Sequence, residues 1–247
     1  LEMGVDWIAL SFVQNAKDVE VLRKLVGHKA SIMAKIEKPS AVKNIEEILE
    51  VADGIMIARG DLGVELPPEK IPAVQKLIIN LCREKGKPVV VATQMLESMI
   101  NNHSPTRAEA SDVANAIYDG ADAVMLSAES AIGKYPIETV TMMNRIILSV
   151  ENDKENYNLS NINIEETSKK RTSTTDAITS AAYTISKNAE AKAIVTFSVS
   201  GGTTLRMSKE RAPVQVIGVS PNISTARKLQ IAWGVHSCHA KDAHNVT

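Results

Sequence analysis

Lys35 and Glu37 stand two residues apart, just after the apolar run Ser31-Ile32-Met33-Ala34. Side chains two apart on an extended segment project to the same face, so an ammonium and a carboxylate share one side here. Asp61 follows the next apolar run, Gly54-Ile55-Met56-Ile57-Ala58. If the two runs are neighbouring strands, about 4.8 Å apart, Glu37 and Asp61 can share one hard cation. Waters and substrate oxygens would complete an octahedron at about 2.1 Å. Mg²⁺ or Mn²⁺ suits that donor set; zinc does not, because neither His nor Cys lies nearby in sequence. An ammonium fixed beside a dication neutralises a phosphoryl group in flight. The alternative role for Lys35 is a plain ion pair with Glu37 or Asp61.

Other apolar runs end in comparable residues. Trp7-Ile8-Ala9-Leu10 is followed by Ser11, Pro88-Val89-Val90-Val91-Ala92 by Thr93-Gln94, and Ala123-Val124-Met125-Leu126 by Ser127-Ala128-Glu129. In a parallel barrel the strand C-termini surround the active site. Lys35, Glu37, Arg59, Asp61, Thr93, Ser127 and Glu129 would then converge on one mouth. Like charges crowded in a mouth repel unless something uses them, which favours a functional site. The stretch Gly60-Asp61-Leu62-Gly63 offers two glycines ahead of a helix start expected near Glu65-Leu66-Pro67-Pro68. It reads as a turn or, beside a metal carboxylate, as a backbone cradle for a substrate carboxylate.

The elements that must position these residues follow from periodicity. Runs apolar at successive positions read as strands buried on both faces, the mark of a parallel sheet. Between them Ala41, Ile45, Ile48 and Leu49 share a helical face, as do Ile71, Val74, Ile78 and Leu81. Val113, Ala114 and Ile117 form another, and Val140, Met143, Ile146 and Ile147 a fourth. Pro39-Ser40 and Pro105-Thr106 mark helix starts; Lys85-Gly86 and Asp119-Gly120 mark stops. Five strand–helix units predict an α/β fold, a partial (β/α)₈ TIM barrel over residues 1–152. A polar linker is expected over 153–175, and a small α/β open-sheet domain over 176–247. In the latter, strands are expected at Ala193 to Phe197, Val214 to Val219 and around Trp233-Gly234-Val235, with helices between.

Composition limits the function classes. The chain has 247 residues, 44% of them apolar, with 28 Lys plus Arg against 29 Asp plus Glu. Near-neutral charge argues against nucleic acid or an anionic membrane as the main partner. No apolar run approaches the roughly 20 residues of a membrane span, and the first residues do not form a signal peptide. Two cysteines suggest no disulfide scaffold, so a cytoplasmic setting is expected. At 3%, aromatics are too few for base-stacking platforms.

The segments Ala34-Lys35-Ile36-Glu37, Ala58-Arg59-Gly60-Asp61-Leu62-Gly63-Val64-Glu65 and Ala92-Thr93-Gln94-Met95-Leu96-Glu97-Ser98-Met99 resemble the pyruvate kinase family. So do Pro105-Thr106-Arg107-Ala108-Glu109 and Ser111-Asp112-Val113-Ala114-Asn115-Ala116, in matching order and spacing. The resemblance spans essentially the whole chain. It implies Mg²⁺-dependent phosphoryl transfer from phosphoenolpyruvate to ADP, giving pyruvate and ATP, in a homotetramer. Lys35 matches the lysine that stabilises the transferring phosphoryl, and Glu37 and Asp61 match the metal ligands (Mg²⁺ or Mn²⁺). The backbone at Gly60 and Asp61, with the Thr93 hydroxyl, matches the groups that hold the substrate carboxylate, and Arg59 occupies the family position just before this cradle, where it supports the site and counts with the substrate-binding set. Ser127 and Glu129 match a polar pair near the water network that protonates the enolate. Arg107 matches an arginine reaching a neighbouring subunit. A K⁺ ion is implied for the complete enzyme, with its site outside this chain.

Two departures stand in Leu126-Ser127-Ala128-Glu129-Ser130, where the family usually has L-S-G-E-T. Retuning rather than loss is expected there. The second domain matches the family's effector domain. Its loop through Ser198, Ser200, Gly201, Gly202 and Thr203 would offer hydroxyls and amides to a sugar-phosphate or nucleotide activator. Otherwise it is a polar strand–helix turn capped by Thr203. The family's first three barrel strands and capping domain have no counterpart in this chain. It therefore reads as an internal fragment, inactive alone. Two other functions share part of this logic: a metal-dependent barrel lyase or aldolase acting on pyruvate enolate, and a non-catalytic oligomerisation or effector-binding fragment.

Overall fold

Five apolar runs form one parallel sheet in sequence order: β1 (Trp7–Leu10), β2 (Ser31–Ile36), β3 (Gly54–Ala58), β4 (Val89–Ala92) and β5 (Ala123–Met125). The description rests on a computed structural model and covers residues 2–153 and 173–241. Pairing registers Lys35 opposite Met56 and Ala58 opposite Ala92, so β2, β3 and β4 end close to one level. Both faces of the sheet are apolar, as successive apolar residues require. Ile32, Ala34, Ile36, Ile55, Ile57, Val89 and Val91 pack into the main core with the helices. Met33, Met56, Val90 and Ala92 form a second cluster, joined by the half-buried Trp7, Met125 and Ile231. Lys35 follows Met33 on that second face.

The helices start and stop where local chemistry dictates. An Asn15–Asp18 capping box opens α1 (Ala16–Val26), which ends at Gly27. The stretch expected as one helix after Pro39 is two, α2 (Pro39–Lys43) and α3 (Ile45–Val51), broken at Asn44. The glycine tetrapeptide is not a turn. It is most of a helix, α4 (Arg59–Glu65), that starts directly at the end of β3. The Leu66-Pro67 pair expected to open a helix instead closes one, because the residue before a proline is pushed out of helical geometry. A 3₁₀ turn (Pro68–Lys70) then leads into α5 (Ile71–Lys85). After β4 comes a second 3₁₀ turn (Glu97–Ile100), then α6 (Arg107–Tyr118), α7 (Ala128–Ala131) and α8 (Pro136–Asn152).

A second parallel sheet holds β6 (Ala193–Phe197), β7 (Gln215–Ser220) and β8 (Val235–His239), again in sequence order. Its helices are α9 (Thr174–Asn188), α10 (Gly202–Lys209) and α11 (Ile223–Lys228). The last strand begins after Trp233-Gly234 rather than through it. Gly234 takes a left-handed turn (φ 65°), and its carbonyl accepts the Val216 N–H. The linker expected over 153–175 lies almost wholly outside the described residues.

The two sheets meet at the N-terminal end of the first. Arg227 pairs with Asp6 at 2.9 Å, and the Trp7 indole donates to the Lys228 carbonyl at 3.3 Å. Arg211 is almost fully buried; it donates to the Gly120 carbonyl at 2.6 Å and pairs with Asp122 at 3.1 Å. Its guanidinium stacks 4.8 Å from the Trp233 ring, whose Nε1 donates to Glu151 at 2.8 Å. Among the described residues, these bonds and ion pairs between the two sheets gather at this end of the first sheet.

Candidate active site

Three groups of residues sit along the C-terminal ends of β1 to β5. In the first, the Lys35 ammonium lies 2.5 Å from Glu37 Oε1 and donates to Ser11 Oγ at 3.1 Å. Glu37 is 1% exposed, and its second oxygen accepts the Phe12 N–H at 2.6 Å. Phe12 adopts φ 56°, a left-handed conformation that turns its N–H onto the carboxylate. The ion pair weighed as the alternative for Lys35 is thus formed, with Glu37 as its partner. Asp61 is exposed in the first turn of α4, where the helix dipole favours a carboxylate. Across the end of β2, Lys38 pairs with Glu65 at the far end of α4, a tie that no motif suggested.

The second group joins α4 to the end of β4. The Gly60 N–H donates to Thr93 Oγ1 at 2.7 Å, and that hydroxyl donates to the Ala92 carbonyl at 2.6 Å. A side chain at Gly60 would crowd this contact, its Cβ lying 3.3 Å from Thr93 Oγ1. Arg59 departs from the sequence expectation. Its side chain is only 9% exposed, and its guanidinium is taken up by Asp112 (2.6 Å), the Thr93 carbonyl (2.9 Å) and Met95 Sδ (2.9 Å). It is an internal tie rather than a cation turned to substrate. Asp112 and Gln75, which share that guanidinium, were invisible as site residues: one is a polar position inside a helix, the other a lone amide on an apolar face.

In the third group Glu129 is 2% exposed and accepts two backbone N–H groups, Ser127 at 2.7 Å and Leu96 at 3.4 Å. Its carboxylate therefore latches the loop after β5 to the loop after β4. Ala128, which replaces the usual glycine, has no left-handed backbone, so its methyl adds no strain there. Gly133 is the glycine this loop needs: a Cβ there would collide with the Glu129 carbonyl oxygen.

Glu37 and Asp61 offer carboxylate oxygens, the donor type a hard divalent cation takes, with the two Glu37 oxygens engaged by Lys35 and the Phe12 N–H. Glu37 and Asp61 follow adjacent paired strands, and among the described residues no cluster of three or more His, Cys, Asp or Glu exists to form an all-protein cage. Such a donor set suits an ion that keeps waters and binds substrate oxygens.

In the second domain, Ser198 Oγ accepts the Gly201 N–H at 2.9 Å. Gly201 (φ 91°) caps α10 with backbone alone; Thr203 does not cap it, contrary to the alternative weighed from sequence. Arg107 is exposed at the first position of α6.

Family comparison assigns both halves. The model described as pyruvate kinase, barrel domain, matches residues 1–140, and that described as pyruvate kinase, alpha/beta domain, matches residues 176–247. The chain belongs to the pyruvate kinase family. A pyruvate kinase from Methylorubrum extorquens is 50% identical over 246 residues, covering all of this chain and 51% of the relative. One from Geobacillus stearothermophilus is 48% identical over 244 residues, 97% of this chain and 41% of the relative. A crystal structure of a pyruvate kinase from Cryptosporidium parvum superposes with a TM-score of 0.93 at 40% identity, over 98% of this chain and 51% of that one. The chain thus spans about half the length of the pyruvate kinases it matches. Among the described residues no helix is long and apolar enough to cross a membrane.

Proposed function

We propose that this chain carries the metal- and carboxylate-binding half of a pyruvate kinase active site, for phosphoryl transfer between phosphoenolpyruvate and ADP. The observation that carries the reading is the contact of Gly60 N–H with Thr93 Oγ1, beside the Lys35–Glu37 pair, at the C-terminal mouth of a parallel sheet. Glu37 and Asp61 would hold Mg²⁺ or Mn²⁺, which supplies charge neutralisation at the phosphoryl and enolate oxygens. Lys35, steered by Ser11 and Glu37, presents its ammonium to the transferring phosphoryl group. The Asp61 amide would receive the substrate carboxylate together with the Gly60 amide and the Thr93 hydroxyl, which would exchange their bonds to each other and to the Ala92 carbonyl for the substrate. Ser127, whose N–H is held by Glu129, would use its hydroxyl to order the water that protonates the enolate.

The loop from Ser198 to Thr203 is the proposed site for a phosphorylated activator, and Arg107 the proposed contact to a neighbouring subunit of a homotetramer. A pyruvate-forming coupled assay tests the reading, run with and without Mg²⁺ on this chain and on the complete polypeptide. Mg²⁺-dependent pyruvate release by the complete enzyme is the expected result. A complete enzyme that instead cleaves a carbon–carbon bond next to a pyruvyl group, with no nucleotide requirement, would establish the lyase alternative.

A further inference from the structure

Thr93 and Gln94 are consecutive non-glycine residues with positive φ, 70° and 56°. For a β-branched residue such as Thr93 this backbone region is a true outlier. It persists only where the surroundings over-determine it. Glycine would adopt it freely but has no hydroxyl. The site therefore demands a hydroxyl where the backbone favours glycine, and something else must hold the corner.

Arg59 is built to do so. Its Nη2 reaches three successive residues: the Thr93 carbonyl at 2.9 Å, the Gln94 carbonyl at 3.5 Å and Met95 Sδ at 2.9 Å. Its Nη1 is anchored by Asp112 on α6 at 2.6 Å and by Gln75 on α5 at 3.4 Å. Gln75 is itself fixed, donating to Asp119 at 3.0 Å. A planar guanidinium serves acceptors on several sides at once, which a lysine ammonium cannot reproduce. Arg59 also immediately precedes Gly60, the donor to Thr93 Oγ1. The start of α4 and the end of β4 are thus tied twice, once through the hydroxyl and once through the guanidinium.

We propose that Arg59 and Asp112 are positioning residues that clamp the Thr93-Gln94 corner in its left-handed conformation and so set the carboxylate-binding hydroxyl against the Gly60 amide. The inference rests on the carboxylate site proposed above. Its test uses the complete enzyme with Arg59→Lys, Asp112→Ala and Asp112→Asn. KM is measured for phosphoenolpyruvate and for ADP, and pyruvate binding is titrated with Mg²⁺ present. Arg59→Lys and Asp112→Ala are expected to raise KM for phosphoenolpyruvate and the pyruvate dissociation constant about tenfold, a modest loss on the affinity scale. KM for ADP should stay unchanged. Asp112→Asn, which keeps an oxygen acceptor, should fall between wild type and Asp112→Ala.

Adding Gln94→Gly to Asp112→Ala should recover part of the pyruvate affinity, because glycine holds the corner unaided. A purely structural role for Asp112 would give no such recovery. Should Arg59→Lys fail to fold, the two Asp112 variants and the glycine rescue decide the matter. Parallel rises in both KM values, or unchanged phosphoenolpyruvate and pyruvate affinities, would overturn the clamp while leaving the carboxylate site standing. Wild-type enzyme that binds no pyruvate would overturn the site and the clamp together.

Discussion

Lys35 is held from two sides, by Glu37 at 2.5 Å and Ser11 at 3.1 Å, so its ammonium is fixed over the mouth rather than sweeping solvent. Its proposed task is charge stabilisation, and Glu37 has a different one. Lys35→Met in the complete enzyme is expected to keep Mn²⁺ binding and lose on the order of 10³-fold in phosphoryl transfer, the scale for a transition-state cation. Glu37→Ala should weaken Mn²⁺ binding itself. Titration of Mn²⁺ by paramagnetic resonance on both variants separates the roles; equal loss of affinity in the two would merge them. The two cysteines differ as sharply. Cys82 is fully buried, and burial pushes its thiol well above the usual range, whereas Cys238 is partly exposed. A thiol kept protonated and covered does not react. Iodoacetamide should label one thiol per native chain and two after denaturation, counted by mass spectrometry.

At the scale of elements, α6 shows what a short motif can encode. Thr106 and Glu109 form a capping box, and Glu109 also accepts the N–H and O–H of Ser98, tying the 3₁₀ turn after β4 to the helix. Burial pushes the Glu109 carboxyl up, but the hydrogen bonds from Ser98 and Thr106 outweigh it and leave it below the usual glutamate value. A depressed carboxyl stabilises the fold above the unfolded value of about 4.3 and loses that contribution as pH falls through its lower folded value. Acid unfolding should therefore start at higher pH once Glu109→Gln has lost its share of stability near neutrality. Thr106→Ala should cost about 1 kcal/mol, read from urea denaturation. The helix start at Pro105-Thr106 was legible in sequence because capping is local chemistry. The hold of Glu109 on Ser98 was not, since it depends on the turn lying beside the helix. Strands β1 and β3 were legible to the residue because both faces are apolar. Helix α4 was not: two glycines lower helix propensity, and the segment is fixed instead by Thr93 across the sheet. Arg59 and Glu129 were read as charges facing a mouth. Arg59 is consumed by partners 16 to 53 residues away, and Glu129 by Leu96 at a separation of 33 as well as by its neighbour Ser127; the long separations hide the contacts.

Over the whole molecule, the second sheet packs at the N-terminal end of the first, and the candidate site occupies the other end. Arg211 is the centre of that junction. Arg211→Ala would remove the stacking on Trp233 and the bond to Gly120, and leave Asp122 without its cation. A cost of about 3 kcal/mol is expected, the low end for breaking a buried pair, measured by chemical denaturation. The 247-residue chain by itself is expected to release no pyruvate from phosphoenolpyruvate and ADP. It should also self-associate in sedimentation, because β1 and β5 are edge strands of its larger sheet. A monomer turning over at roughly 1–100 per second would contradict both expectations. The junction has one more consequence, an optical one. Trp7 and Trp233 are the chain's two tryptophans, and each indole is hydrogen-bonded beside this seam, one to Lys228 and the other to Glu151. Tryptophan emission from the native protein is thus a built-in gauge of docking between the two sheets. Prising them apart would wet both indoles and shift the emission to the red, while a ligand settling at the distant mouth would change the colour only by moving the seam.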